Sequence, residues 1–382
     1  MKLFVLIMAV LTVSQGALGE EVSVPQSLKI NGYFDSYYQY SPQGHMPTTG
    51  SGAPYIEGRV FDNLHNQIVL NMVEISVAQK FREVSFRVDL GFGQQIDAMA
   101  TNGTINSTNG QPTGADTEPT RNVTQAYLAY TPVNLPDLTI TVGKFYAFIG
   151  LEGFKAKDNW QYSRSFNYNF SPYWHQGIGA KYALVPDQIS ATLFYINASD
   201  GRLSQETNRS PSIGANVNVV PLKDWVVNYN YLGGPESDAA NSRRDVHEVN
   251  STYQIHSMWT VAADYTWAEQ KNALANGDRG QWWAIDGYVK FQPVDWYYFS
   301  PRYEFVDDSD QGVGLSAFSR SGGVKQRIES ITLTNAWPMK NGLDLRVEYR
   351  SDRSSSDGYF KSSAGTPVRH QDSYTVAALF AF

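Results

Sequence analysis

Charged side chains stand at every second residue in two stretches of this chain, and the residues between them are largely apolar. Across 343–350 the charges are Asp344, Arg346, Glu348 and Arg350, set against Leu343, Leu345, Val347 and Tyr349. Across 84–92, Arg87 and Asp89 share one side with Ser85 and Gly91, opposite Val84, Phe86, Val88, Leu90 and Phe92. Arg302 and Glu304 repeat the spacing, and Asp264, Asp286 and Lys290 fall on the same alternation. A period of two collects such charges on one face of a strand. Ionic groups of both signs on one face can line a watery path and act on passing solutes. Buried in a dry interior they would be costly unless every one were paired, so a wet face is the expectation. A second concentration lies between 146 and 175, where Glu152, Lys155, Lys157, Asp158 and Arg164 are set among Tyr, Phe and Trp residues.

Other chemistries find less support. Of the six histidines (His45, His65, His175, His247, His256 and His370) none has the spacing of a metal site, and no nucleophile stands in a readable relation to any of them. His247, beside Glu248, reads as a solvated strand end. There is no cysteine, which excludes a disulfide framework and thiolate ligands. No glycine-rich phosphate loop occurs, so neither a cofactor nor an enzyme is expected. The formal net charge of −7 excludes the basic footprint of a nucleic-acid binder.

The elements that must position these charges are strands. Residues 1–19 have the parts of a cleaved secretory signal: Lys2, an apolar run over 3–13, and Ala17-Leu18-Gly19 before Glu20. That run is shorter than the roughly 20 residues a spanning helix needs, and 20–28 reads as a short periplasmic segment. Hydrophobic residues make up 42% and mean hydropathy is −0.37, low for a helical membrane protein but ordinary for strands with only alternate residues in lipid. Seven short connections recur, at 80–83, 132–137, 185–188, 221–224, 255–258, 293–295 and 338–342. Between them lie eight long polar stretches, near 41–66, 94–121, 146–175, 197–211, 232–245, 268–281, 306–323 and 351–372. Eight long loops alternating with seven short turns require sixteen antiparallel strands, the arithmetic of a transmembrane barrel over 29–382 with short periplasmic turns and long external loops. A soluble sandwich also alternates but does not predict that asymmetry. Trp225, Trp259, Trp296 and Trp337 lie beside short turns, where an aromatic girdle would sit. The Asn-x-Ser/Thr sequons at Asn102, Asn106, Asn122, Asn197, Asn208 and Asn250 then reflect Asn- and Thr-rich loops.

The last residues, with Tyr374, Val376, Ala378, Phe380 and a terminal Phe382 at alternate positions, resemble the assembly signal of Gram-negative outer-membrane proteins. The run from 142 to 181 is similar to the OmpL-like β-barrel porin family through Gly143, Lys144, Phe145, Gly150, Glu152, Ser163, Arg164, Ser165, Pro172 and Gly177. The resemblance implies a Gram-negative outer-membrane barrel with a water-filled pore for small solutes or ions, surrounded by lipid, inserted by the assembly machinery with periplasmic chaperones, and expected as a homotrimer. It departs from enterobacterial porins in lacking a Pro-Glu-Phe-Gly-Gly motif. In sixteen-stranded porins the third long loop enters the barrel, which nominates 146–175 and its five charges as the constriction. Their partners would then be the charges on strands thirteen and fifteen, with Arg87, Asp89, Arg302, Glu304, Arg346, Glu348 and Arg350 as the pore lining. The alternative role for Arg164 and Glu152 is to fasten the loop. A non-conducting adhesin or structural barrel is the second functional reading, and a substrate-specific transporter the third, although 20–28 is too short for a plug.

Overall fold

The computed structural model describes residues 28–44, 55–100, 120–197, 210–235, 243–272, 277–309, 326–357, 359–362, 364 and 366–382. The signal-like residues 1–19 lie outside the described residues. In chain order the strands are β1 (Lys29–Tyr40), β2 (Gln67–Phe81), β3 (Val84–Phe92), β4 (Val123–Tyr130), β5 (Leu138–Tyr146), β6 (Trp174–Val185), β7 (Ile189–Ile196), β8 (Ser212–Leu222) and β9 (Trp225–Pro235). They continue as β10 (Arg243–His256), β11 (Trp259–Gln270), β12 (Gly280–Val294), β13 (Tyr297–Asp308), β14 (Gln326–Pro338), β15 (Leu343–Ser354), a small hairpin of β16 (Phe360–Lys361) and β17 (Pro367–Val368), and β18 (His370–Ala381). All but the hairpin form one closed antiparallel barrel of sixteen strands, in which β18 pairs with both β15 and β1. Two short helices, α1 (Gln94–Ala100) and α2 (Phe166–Phe170), belong to the connections.

The expected alternation of short and long connections holds, with strands reaching further into the long ones than polarity suggested: β9 and β10 leave only 236–242 between them. The tight turns put Arg82, Asp187 and Asp224 at positive φ, a region that Asp tolerates better than most residues. Gly342 follows the same need, since a side chain there would run into the Ala381 carbonyl.

Register fixes which face each residue takes, because a slip by one would exchange lipid and lumen along the whole strand. Leu193, Tyr195, Ile213, Ile331, Val347, Tyr374 and Val376 project outward and are exposed, as lipid-facing residues must be when the chain is alone. Trp225, Trp259, Trp296 and Trp337 gather at the short-turn end, with Trp259 on Phe291 at 4.4 Å and Trp337 near Tyr297 at 5.8 Å. A second aromatic row, Tyr231, His247 and Trp267, lies at the other end, with the half-buried His247 between two tilted rings. At the seam between β1 and β18, Gly32 and Phe382 exchange backbone hydrogen bonds at 3.1 and 3.2 Å. A Cβ on Gly32 would meet the Phe382 ring at 2.2 Å.

Candidate constriction site

The connection from β5 to β6 lies inside the barrel, and the ionic face of the wall holds its backbone. An irregular segment at membrane depth must have its amides and carbonyls satisfied by protein or water. Carboxylates on the wall take the amides: Glu348 accepts from the N–H groups of Tyr162 at 2.6 Å and Ser163 at 3.1 Å. Glu304 accepts from Phe166 at 2.7 Å, and Asp264 from Leu151 at 3.0 Å. Guanidiniums take the carbonyls: Arg302 donates to Ser163 at 2.8 Å, Arg346 to Ala156 and Gln161 at 2.9 and 3.0 Å, and Arg350 to Arg164 at 2.6 Å. Each of these wall groups reaches across roughly a hundred or more residues of sequence to a main-chain atom.

The loop's own charges complete the latch. Glu152 pairs with Arg302 at 2.6 Å and also accepts from the Ser165 amide at 2.7 Å, which ties the loop's entrance to its exit. Lys155 pairs with Glu74 at 2.5 Å on the far side of the barrel seam. Arg164 turns into the loop itself, donating to the Tyr162 and Phe154 carbonyls at 2.9 and 2.5 Å and lying 5.2 Å from the centroid of Phe61. Ser165 caps α2 by accepting from the Tyr168 amide at 2.9 Å. Beneath this polar layer Tyr37, Phe61, Phe154, Tyr162, Tyr168, Tyr173 and Trp174 form an aromatic core. Outside it, Tyr359 and Phe360 of the last long connection pack near Phe166, with Tyr359 6.2 Å from it.

Glycines of the 142–181 run have conformational reasons. Gly143, at φ +134°, and Gly177 each bring a neighbouring strand's carbonyl to 2.2 Å from where a Cβ would stand. Substitution at either would force β4 or β7 away.

Placed on the structure, the expected site residues divide. Glu152, Lys155 and Arg164 are buried, whereas Lys157 and Asp158 are accessible at the loop's tip and pair with each other at 2.5 Å. Of the expected lining, Arg302, Glu304, Arg346, Glu348 and Arg350 are buried at 2% exposure or less, beneath the loop. Asp89 is buried against Arg87 at 2.9 Å, and Arg87 alone of this set is partly open. The expectation of a wet ionic face is therefore corrected for all of this set but Arg87: these charges are buried. Their burial is compensated by ion pairs and by the loop's otherwise unpaired backbone.

A more open polar face lies opposite. β7, β8 and β9 contain no charged residue. One ring of facing residues can be followed across consecutive strands as Ser190, Asn218, Asn228, Asn250, Asp264, Asp286, Glu304, Ser330 and Asp352. Its β7–β10 part is neutral and its β11–β15 part is mostly ionic. Amide hydrogen bonds join Asn218 to Asn228 at 2.8 Å, Asn228 to Asn250 at 2.9 Å, and Asn216 to Asn230 at 2.7 Å. Asn216, Asn218, Asn228 and Thr252 are partly exposed, unlike the ionic ladder. Sequence reading missed this face, although Asn216 and Asn218, then Asn228 and Asn230, already alternate with apolar residues. Between it and the loop's tip a recess of roughly 200 Å³ is lined by Leu151, Glu152, Asp158, Asn159, Trp160, Gln161, Thr252, Ala262 and Tyr288. Among the described residues no group of His, Asp or Glu side chains is arranged to hold a metal ion.

Comparison with known proteins agrees with this architecture. The family model described as "Putative beta-barrel porin-2, OmpL-like" matches residues 27–382. The outer-membrane channel DcaP of Acinetobacter baumannii is 10% identical with a TM-score of 0.59, covering 93% of this chain and 97% of that one. An anion-selective porin from Comamonas acidovorans is 11% identical with a TM-score of 0.56, covering 93% and 99%. In-vitro folded OmpT of Vibrio cholerae, in its trimer form, is 12% identical with a TM-score of 0.53, covering 93% and 99%. At such identities these structures show the fold. No curated protein matches the sequence. The chain belongs to the OmpL-like β-barrel porin family: it is a multi-pass barrel of a Gram-negative outer membrane and a channel for passive diffusion of small solutes.

Proposed function

Because the chain is a porin of this family, we propose that its solutes pass off-centre, between the tip of the 147–173 connection and the amide face of β7–β10. One observation carries this reading: Arg302, Glu304, Arg346, Glu348 and Arg350 of β13 and β15 are sealed under the loop, while Asn216, Asn218, Asn228 and Thr252 on the facing wall keep accessible amide and hydroxyl groups. Lys157 and Asp158 are the loop's accessible charges, and as a close pair they largely cancel at a distance. Glu152, Lys155 and Arg164 then act on conduction indirectly, by fixing where the loop stands. The pore discriminates by size and hydrogen bonding, with weak ion preference, rather than by a strong transverse field.

Planar-bilayer recording of the refolded protein across a KCl gradient tests this. Stable open steps with a reversal potential near zero are expected. A strongly ion-selective current would place the path along charged groups instead, and a folded barrel without conductance would favour a non-conducting surface role. The outward, exposed positions of Tyr374, Phe380 and Phe382 fit their proposed use by the outer-membrane assembly machinery. A homotrimer, as in the V. cholerae relative, is proposed here on likeness of fold and is checked by the mass of the detergent-solubilised native protein.

A further inference from the structure

The recess at the loop's tip has a composition that points to a class of solute. Trp160 keeps part of its indole accessible, and its ring stands edge-on to Tyr288 with centroids 6.3 Å apart. The Trp160 carbonyl is held by the Tyr298 hydroxyl at 3.1 Å, so the indole is carried on a fixed stretch of backbone. Of the polar lining, Asp158 is exposed and Thr252 half-buried, whereas Gln161 and Tyr288 are buried. Both carboxylates at the recess are already neutralised, Glu152 by Arg302 and Asp158 by Lys157. Thr252 continues the wall two residues along β10 from Asn250, where the amide face begins.

We propose that this recess is a binding station for a neutral, polyhydroxylated solute of about the size of one sugar ring, seated with its C–H face on Trp160. The inference deepens the channel reading and rests on it. An indole face is apolar and polarisable, and it gains dispersion contact from an aliphatic ring laid against it. A bare ion would find both carboxylates of the lining already paired, and a wholly apolar solute would leave the accessible Asp158 carboxylate and Thr252 hydroxyl without the hydrogen bonds water gives them. Hydroxyl groups both donate and accept, which suits a lining that offers an accessible carboxylate and a threonine hydroxyl. The volume equals that of about seven waters at their share of the liquid, too small for the drug-sized ligands that fill larger clefts.

The test is single-channel recording in KCl with glucose added in steps, against poly(ethylene glycol) of matched hydrodynamic size. Glucose is expected to reduce the current to a saturating level, while the polymer reduces it only in proportion to the conductivity of the solution. Trp160→Ala should raise the half-blocking concentration about tenfold, the effect of losing roughly 1.4 kcal/mol of contact, and Trp160→Phe should restore most of it. Trp296→Ala, an exposed tryptophan beside the β12–β13 turn, should leave the glucose response unchanged. Glucose that behaves like the polymer in a conducting wild-type channel would overturn the station alone. Saturable block that survives Trp160→Ala overturns its placement at the recess. A folded barrel that does not conduct overturns the channel reading and takes this inference with it.

Discussion

The two sides of this barrel use the same backbone geometry for opposite purposes. On β13 and β15, Arg302, Glu304, Arg346, Glu348 and Arg350 are spent on holding a loop, and almost none of their surface meets water. On β8 and β9, Asn216, Asn218 and Asn228 at the same inward register bond to asparagines across strands and stay partly open, while Asn230 and Asn250 are buried against Glu248. Inward position therefore does not identify a pore-lining residue. The strongest charges can belong to the scaffold, and neutral amides can border the path. A charge is useful for gripping backbone because each charge-assisted hydrogen bond is roughly twice as strong as a neutral one. A neutral amide is useful beside moving solutes because it offers exchangeable hydrogen bonds without trapping ions.

The contrast is broken most severely by Arg302→Ala, which leaves Glu152 and Glu304 without their shared guanidinium. Removing one partner of a buried pair costs about 3–5 kcal/mol. The loop should leave the wall, single-channel conductance should rise, and protease should cut within 147–173; unchanged conductance and protection would show that the ladder is not the latch. A single charge on the other side should act on ions instead of on structure. Asn218→Asp places a carboxylate beside the path, worth about 1 kcal/mol to a cation some 4 Å away in water, or roughly a fivefold cation preference read from the reversal potential. If Asn218→Asp shifts nothing while Arg350→Gln shifts selectivity without altering protease protection, the assignment of the two sides is reversed. Exchanging Lys157 and Asp158 for Gln and Asn should change ion preference less than twofold and leave stability nearly untouched, since exposed pairs contribute only about 0.2–1 kcal/mol.

The smallest effect concerns the outer cover of the charged side. Arg369 donates to Asp357 at 2.9 and 3.2 Å and holds that carboxyl below its ordinary range. A depressed folded value means that the pair's contribution is present above the unfolded carboxyl value of about 3.9 and fades as pH falls through the folded one. Amide protection near the β16–β17 hairpin, exchange taken relative to its intrinsic rate at each pH, should thus be steady from pH 7 to 5 and fall only at lower pH. Because the pair is exposed to solvent, salt should weaken it as well.

Much of the wall was legible from sequence because a strand's period of two is short and local. Seven turns and eight loops were countable, and Leu343, Leu345 and Val347 announce the lipid face of β15 without reference to any other residue. What the ladder does was not legible. Glu348 finds the amides of Tyr162 and Ser163, and Arg346 the carbonyls of Ala156 and Gln161; a main-chain atom has no side-chain signature to search for. The entry of 146–175 into the barrel came from family resemblance, and the burial of Arg164 fits the alternative of fastening the loop better than a place at the constriction. Its partners are carbonyls of its own loop and the ring of Phe61, about a hundred residues away. Trp160 was one more aromatic in a loop rich in them until Thr252 and Tyr288 were seen facing it.

The seam where Gly32 meets Phe382 sets the order of events in assembly. The ring cannot close until its last strand is available to its first, so the decisive pairing joins the most distant parts of the fold. Loop-closure entropy rises only about 0.6 kcal/mol per doubling of length, so this separation is a minor penalty at equilibrium. It weighs on the rate instead, because pairings between remote segments form slowly and leave strand edges open meanwhile. A seam with no side chain at Gly32 lets the Phe382 ring settle flush against the opposite backbone, the last tooth of a zip. Any larger residue there would keep the edge unsatisfied for longer, and the cost would appear first as aggregation during biogenesis, before any change in the finished channel.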